Sequence, residues 1–540
     1  MPAGPRASRS NRRAPKRRAG GRLAAARARW RQHSLLARTG YVTATVVAIV
    51  ALIVAIGAFA IYRELNGNIT RVQVGDLSGR ATRGAQNILI LGSQERQGQR
   101  PGHFGREINP GTTNSDNLLL VHLDSTHTHA TILSIPRDLF AYQPACKKRS
   151  YIGVGTWPAQ SYPPGAIIDG ALNIGGPTCA VSTVEDLTGI KLDHFVEFDF
   201  NSFRTMVDAL GGVDVCVPPG PGYHDRYSGL NLKPGLHLLK YNQALAYVRT
   251  RHGVGSGSDA GGDLPRIQLQ QAFIASLAQK ISAEGLLSDL PALLSIAQTA
   301  TRALTVDQNL GSASSLVGLA ESVSHLKPRN ISLITLPTTP DTYDYPVYDQ
   351  HLMSVQPQDD VIYQMLRTSQ VWHGHLPVQP HARVEVRVLN GSGQAALGPR
   401  TAASLRALGF RVISVGDTAP AAATTLRYAG LTQADGAYTL MTALKSAPVV
   451  DNTLAEPAWQ AGTAGPVTLI LGTDFAGVSA PAARTTARSR GQHSSGHEPK
   501  TSAGRAAAAA APSASTGPQV QSRNAGASIC SGLPPAFSGG

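Results

Sequence analysis

Acidic residues are missing from the first 40 positions, which hold 12 Lys/Arg and no Asp or Glu. The whole chain has 49 Lys/Arg against 34 Asp/Glu and a formal charge of +15. Removing the tail leaves 37 Lys/Arg against 34 acids, only +3. The basicity is local, so nucleic acid is not an expected partner of the folded part. Cysteine is scarce as well: Cys146, Cys179, Cys216 and Cys530 are all there are. No CxxC pair and no Cys/His spacing suggests zinc. Four cysteines suit an oxidising compartment without forming a dense framework. One bridge among Cys146, Cys179 and Cys216 is expected, and Cys146–Cys179 is preferred because both lie in polar or glycine-rich connections. Cys530 stands in a low-complexity tail.

Familiar catalytic signatures are missing too. "GVGSGSDAGG" (253–262) is not a phosphate-binding Walker loop, because no GK[ST] comes after it. No GxSxG elbow, HExxH helix or dinucleotide fingerprint stands in a fitting context. His127 and His129 in "STHTHAT" read as a polar turn rather than metal ligands.

Directly after the basic tail comes a charge-free run, "YVTATVVAIVALIVAIGAFAIY" (41–62). Twenty-two residues at ~1.5 Å each span roughly 33 Å, enough to cross the hydrocarbon core. "AFA" at 58–60 resembles a signal-peptidase site, but the run is longer than a usual signal core. An uncleaved single-pass anchor is therefore expected, with the basic N-terminus cytoplasmic and the rest extracytoplasmic.

Residues 63–84 read as a polar spacer. From 85 to about 375, "NILILG", "NLLLVHLD", "ATILSIP", "FVEFDF", "GGVDVCVP" and "ISLITLP" are strand candidates, several of them apolar on both faces. Helices are expected over 179–189, 201–210, 241–247 and 264–282. The fold class is α/β, with a mostly buried central sheet sandwiched between helices. A second small α/β domain covers 382–477. Residues 478–540, rich in Ala, Ser, Gly and Pro, are expected to be a disordered tail.

Chemistry concentrates in two places. "SIPRD" (134–138) ends a buried strand at Pro136, so Arg137 and Asp138 emerge where open α/β sheets bind ligands. Asp116 stands at the start of the strand before it. "AYVRTRHGVGSGSDAGGDLPRIQLQQAF" (246–273) places Arg249 and Arg251 on one face of an extended segment. Asp263 can cap the next helix, on which Arg266 and Gln270 share a face at i, i+4. Three clustered arginines repel one another unless an anion lies between them. Guanidinium forks suit phosphate oxygens, and Arg137 makes four cations, a set fitted to a diphosphate.

The ordered motifs "NILILGSQER", "NSDNLLLVHLD", "LSIPRD", "LNIGGPTCAVSTVEDLTGIKLDHFVEFDFNSF", "MVDALGGVDVCVP", "NQALAYVRTR" and "DLPRIQLQQ" resemble the LytR-CpsA-Psr family over roughly 85–375. Residues 382–477 resemble the C-terminal domain of many actinobacterial members. The resemblance implies a membrane-anchored phosphotransferase. Such enzymes move a glycopolymer from a polyprenyl-diphosphate carrier to peptidoglycan through a phosphodiester. It implies a lipid pocket between sheet and helices, and a magnesium (or manganese) cofactor. Arg96, Arg137, Arg249, Arg251, Arg266 and Gln270 match the head-group residues. Asp116 matches a metal-side carboxylate and base, with Gln94 beside it as a metal position. The chain departs from the family at Gln94, where an aspartate is usual, and at Asn114 and Leu269, where arginines are usual. Two alternatives stay open, the first of them motivated by these departures. One is a polyprenyl-diphosphate-binding or regulatory paralogue; the other is a lipid-diphosphate phosphatase using water as acceptor.

Overall fold

A computed structural model describes residues 35–75, 77, 84–93, 114–149, 152–160, 166–254, 263–283, 290–340, 351–451, 465–479 and 520–535. Gln94, Arg96 and residues 255–262 lie outside the described residues. The chain forms two units that divide between Gly67 and Asn68. The first contains helix α1 (Leu35–Asn68), whose apolar stretch Thr39–Asn68 is long enough to cross a membrane. Its residues 41–62 carry no charge.

In chain order the second unit begins with β1 (Thr70–Val72), β2 (Gln86–Ser93), β3 (Ser115–Leu123), β4 (Ala130–Ile135), α2 (Gly170–Thr188) and β5 (His194–Phe198). It continues through α3 (Phe200–Ala209), β6 (Val213–Val217), β7 (Gly235–Leu239), α4 (Tyr241–Arg249) and α5 (Asp263–Ala283). Next come α6 (Leu290–Ala303), β8 (Thr305–Asp307), α7 (Ala313–Ser324), β9 (Ile331–Thr335) and α8 (Gln358–Arg367). A mixed sheet runs β1-β8-β5-β2-β3-β4-β9, with β2, β3 and β4 consecutively antiparallel.

Continuous apolar runs form its centre because both faces are covered. Leu89, Leu91, Leu118 and Leu120 pack with Val181 and Val184 of α2 on one face. Ile88, Val196 and Val306 pack with Leu316 and Leu319 of α7 on the other. Helix α2 begins earlier than expected and bends at Gly176–Pro177, where Gly176 has φ 71°. Just after the bend Cys179 is bonded to Cys146. A side chain at Gly175 would meet both cysteine Cβ atoms within 2.8 Å, so the bridge requires glycine there.

The second domain has β10 (Glu385–Asn390), α9 (Leu397–Ala407), β11 (Arg411–Asp417), β12 (Thr425–Arg427), α10 (Leu431–Thr442), β13 (Val449–Asp451) and β14 (Val467–Leu471). Its sheet order is β11-β10-β14-β12-β13. It shares one core with α8, where Val361, Ile362 and Leu366 meet Leu431, Ala434 and Leu440. The Tyr428 hydroxyl donates to Asp360, whose carboxyl burial pushes up to about 6.

Three expectations need correction. The spacer 63–84 is not a plain connector, because α1 runs on to Asn68 and β1 pairs with β8. The run 211–218 leaves the main sheet and forms a hairpin of β6 with β7. The tail 478–540 is not disordered throughout: β15 (Ser522–Asn524) adds to β9 as an eighth strand, and Cys530 is bonded to Cys216. The backbone amides and carbonyls left open on the β9 edge supply the reason.

Candidate functional site

Pro136 has no N–H to continue the ladder, so β4 stops at Ile135 and the chain turns, with Leu139 N–H donating to Pro136 O. Arg137 and Asp138 sit in that turn. Asp116 is the second residue of β3, and the Ser115 N–H donates to Asp169 O. Asp169 N–H in turn donates to Arg137 O at 3.3 Å. Three backbone segments therefore bring Asp116, Arg137, Asp138 and Asp169 together.

Helices α4 and α5 supply the other half. The extended reading of 249–251 holds only after Arg249, which is the last residue of α4; Thr250 then turns to β geometry. The Arg249 guanidinium lies over the Phe200 ring at 4.7 Å. Asp263 opens α5, but its carboxylate reaches two guanidiniums instead of acting only on the helix end. It lies 2.5 Å from Arg266 Nη2 and 3.0 Å from Arg251 Nη2. Arg137 Nη1 is 2.6 Å from Asp116 Oδ1, and Arg137 Nε is 3.4 Å from Asp138. Arg266 Nη1 stands 4.0 Å from Asp116 Oδ1.

The arginines are thus interleaved with the protein's own carboxylates, which corrects the expectation that only a bound anion can hold them together. The neutralisation is partial. Arg137, Arg251 and Arg266 each bury an Nε–H with no hydrogen-bond partner. Burial alone would lower the Arg137 pKa, but Asp116, Asp138 and Asp263 outweigh it and hold the cation above its ordinary value. Arg266 is more deeply buried and shifts down despite Asp263. Burial also raises Asp138, against the pull of Arg137. Asp169 rises to about 7, by burial and by the nearby Asp138 and Asp116 charges, although Arg137 pulls it down. Asn114 contributes only a 3.4 Å amide contact to Asp169, where a cation would have pulled further.

A cavity of 490 Å³ opens on this cluster. Asp116, Arg137, Arg249, Arg251, Arg266 and Gln270 form its polar end. Leu119, Val121, Ile132, Phe198, Phe203 and Phe273 line its apolar length. It runs between the sheet and helices α3, α4 and α5, and its two ends ask for an amphiphile with an anionic head. Gln270 lines the cavity while its amide donates to Val248 O at 3.0 Å, so it ties α5 to α4. Leu269 leaves no gap in the clamp: it is fully buried with Val215, Tyr247 and Phe273, on a face turned to the hairpin core.

From sequence, Asp263 reads only as a cap, and Asp169 carries no mark at all. The i, i+3 spacing of Asp263 and Arg266 is the available signal for the first. Among the described residues no group of three or more His, Cys, Asp or Glu could hold a metal ion. The donor chemistry fits magnesium or manganese only with substrate oxygens completing the set: Asp116 offers one hard carboxylate at the cavity's polar end.

The model of the LytR_cpsA_psr family matches residues 58–361. Residues 383–475 match the model described as LytR cell envelope-related transcriptional attenuator. The cell wall biosynthesis protein LcpA of Corynebacterium glutamicum is 26% identical over 497 residues, covering 84% of this chain and 89% of its own. The probable cell wall biosynthesis protein LcpB of the same organism is 30% identical over 247 residues, 44% of this chain and 53% of its own. Among solved structures, a LytR-Csp2A-Psr enzyme from Actinomyces oris aligns at 24% identity with a TM-score of 0.39, over 56% of this chain and 97% of its own. The first family model alone spans more than half of the 540 residues, and the chain belongs to the LytR-CpsA-Psr family.

Proposed function

We propose that this protein acts in cell-wall assembly, transferring a glycopolymer from a polyprenyl-diphosphate carrier to peptidoglycan. The observation that carries the reading is one continuous cavity with an arginine-lined mouth and an aromatic and aliphatic interior. A prenyl chain suits the interior, and a diphosphate suits the guanidinium forks of Arg137, Arg249, Arg251 and Arg266 at the polar end. The name of the relative LcpA, a cell wall biosynthesis protein, supports the same setting.

In the proposed reaction an acceptor hydroxyl attacks the phosphorus that bears the glycan. A new P–O bond forms, the bridging P–O bond breaks, and polyprenyl phosphate leaves. The hydroxyl proton passes to Asp116. Arg137, Arg251 and Arg266 neutralise the charge that builds on the departing phosphate. Magnesium, when bound at Asp116, would neutralise further phosphate charge. The apolar helix α1 would anchor the protein as a single-pass segment, with the N-terminus cytoplasmic and the site extracytoplasmic.

The decisive experiment incubates the full chain in lipid nanodiscs with a polyprenyl-diphosphate glycan, Mg²⁺ and a peptidoglycan acceptor. Acceptor-dependent release of polyprenyl monophosphate, abolished by Asp116→Asn, is the expected result. Release with water alone would make the protein a phosphatase. Binding without release would make it a carrier-binding paralogue, and no binding would overturn the reading altogether.

Asp169 gives this site a pH dependence. Its folded pKa of about 7 lies above the ordinary carboxylate value, so the folded state holds a proton that the unfolded state releases. The stability from that proton is present at acidic pH and fades as pH rises through about 7. A bound diphosphate adds negative charge and raises the pKa again. If that rise is about one unit, affinity falls about fivefold as the pH goes from about 6 to about 8. Titrations with the wild type and Asp169→Asn across that range check it: the variant's slope is expected to be flatter by that amount.

A further inference from the structure

Residues 520–535 return from beyond the second domain to pair with β9 of the main sheet. The docking is specific. Thr335 N–H donates to Gln521 O, and Ala525 N–H donates to Ile331 O, both at 2.9 Å. Ala525 is buried with Ala275 of α5 and Leu333 of β9. The path is tight at Gly526, where a Cβ would come within 2.8 Å of the Arg329 backbone. Arg523 folds the adjoining turn by donating to Ser528 O and Ser531 O.

The strap grips the helix that carries Arg266 and Gln270. Gln268 donates to the Gln521 side chain at 2.6 Å, and Gln279 donates to Ala525 O at 2.6 Å and Ala527 O at 2.8 Å. Beside the first of these points lies a cavity of 570 Å³ lined by Gln268, Gln271, Gln521 and Arg523. The grip therefore combines these hydrogen bonds with the packing of Ala525 against Ala275. The strap's far end also holds the hairpin core behind the site. Cys530 is bonded to Cys216 on β6, and Tyr223 donates to Pro534 O at 2.6 Å. That core contains Tyr247 of α4 and Leu269 of α5.

We infer that the 520–535 strap is a positioning element for the arginine cluster, latched by the Cys216–Cys530 disulfide; its functional meaning rests on the proposed diphosphate site. A three-residue edge strand has little stability of its own, so docking depends on the local concentration that the latch provides. A dithiol opens the latch by breaking the S–S bond. Two electrons and two protons pass to Cys216 and Cys530, and the reductant leaves as its own disulfide. Opening the latch loosens α5 without altering any residue that touches substrate.

The test uses the full chain in nanodiscs, with farnesyl diphosphate as the probe. Cys216→Ser/Cys530→Ser keeps the Cys146–Cys179 bridge. Hydrogen exchange is expected to quicken over 263–283 and to stay unchanged over 170–188. Affinity is expected to fall about tenfold, within the usual range for residues that couple to a site without touching its ligand. Should the serine pair not fold, Gln268→Ala/Gln279→Ala with both disulfides intact is expected to show the same local quickening. Wild-type exchange and affinity in either folded variant would overturn the inference. A wild type that does not bind the probe counts against the diphosphate reading alone, and exchange over 263–283 still decides the strap.

Discussion

Arg137→Met is expected to lower the release of polyprenyl monophosphate by about 10²–10³-fold, the usual loss for one preorganised donor at a developing anion. The expectation comes from where Arg137 stands. Its guanidinium touches Asp116 and Asp138 and lines the cavity. Removing it deletes a phosphate donor and also leaves three carboxylates, Asp116, Asp138 and Asp169, without their shared cation. Part of the loss should therefore be recoverable by acid: with Arg137 gone, Asp169 shifts further up and is protonated at higher pH. Arg137→Lys separates charge from shape, because an ammonium keeps the charge but not the planar fork. Activity of the lysine variant is expected to lie between wild type and Arg137→Met. Steady-state release assays at pH 6 and 8 check the set. Wild-type turnover in Arg137→Met would remove Arg137 from the reaction.

Much of this arrangement is legible in the sequence, and the reasons differ by region. Runs such as Leu89–Leu91 and Leu118–Leu120 announce a sheet covered on both faces, because a half-exposed strand would alternate. "SIPRD" announces a rigid strand end because proline stops a ladder wherever it occurs. Asp169 is silent because its neighbours in space, Asp116 and Arg137, are distant in sequence. The strap is silent for another reason. Its strand "SRN" carries no apolar pattern, since it pairs through backbone atoms on an edge and buries little beyond Ala525. One signal does exist. Three cysteines in the patterned region are an odd number, so one of them needs a partner from elsewhere, and Cys530 is the remaining candidate.

Asp263→Ala tests whether the cluster is built to be incomplete. Asp263 is buried and holds Arg251 and Arg266, and Arg266 is itself almost fully buried. Deleting the carboxylate strands the buried Arg266 cation, so the apo protein is expected to lose about 3–5 kcal/mol of stability. A diphosphate brings negative charge to the same two guanidiniums. The variant should accordingly gain more from ligand than the wild type does: its Tm shift on adding farnesyl diphosphate is expected to be the larger of the two. A carboxylate that merely positioned the arginines would give the opposite pattern, with a low apo Tm and a smaller ligand shift. Thermal unfolding of both proteins with and without the probe distinguishes the two. Asp263→Asn keeps the shape and one acceptor oxygen, and it should fall between them. The larger ligand shift would mean that Asp263 occupies the arginines in the empty site and yields part of their charge to phosphate when substrate arrives.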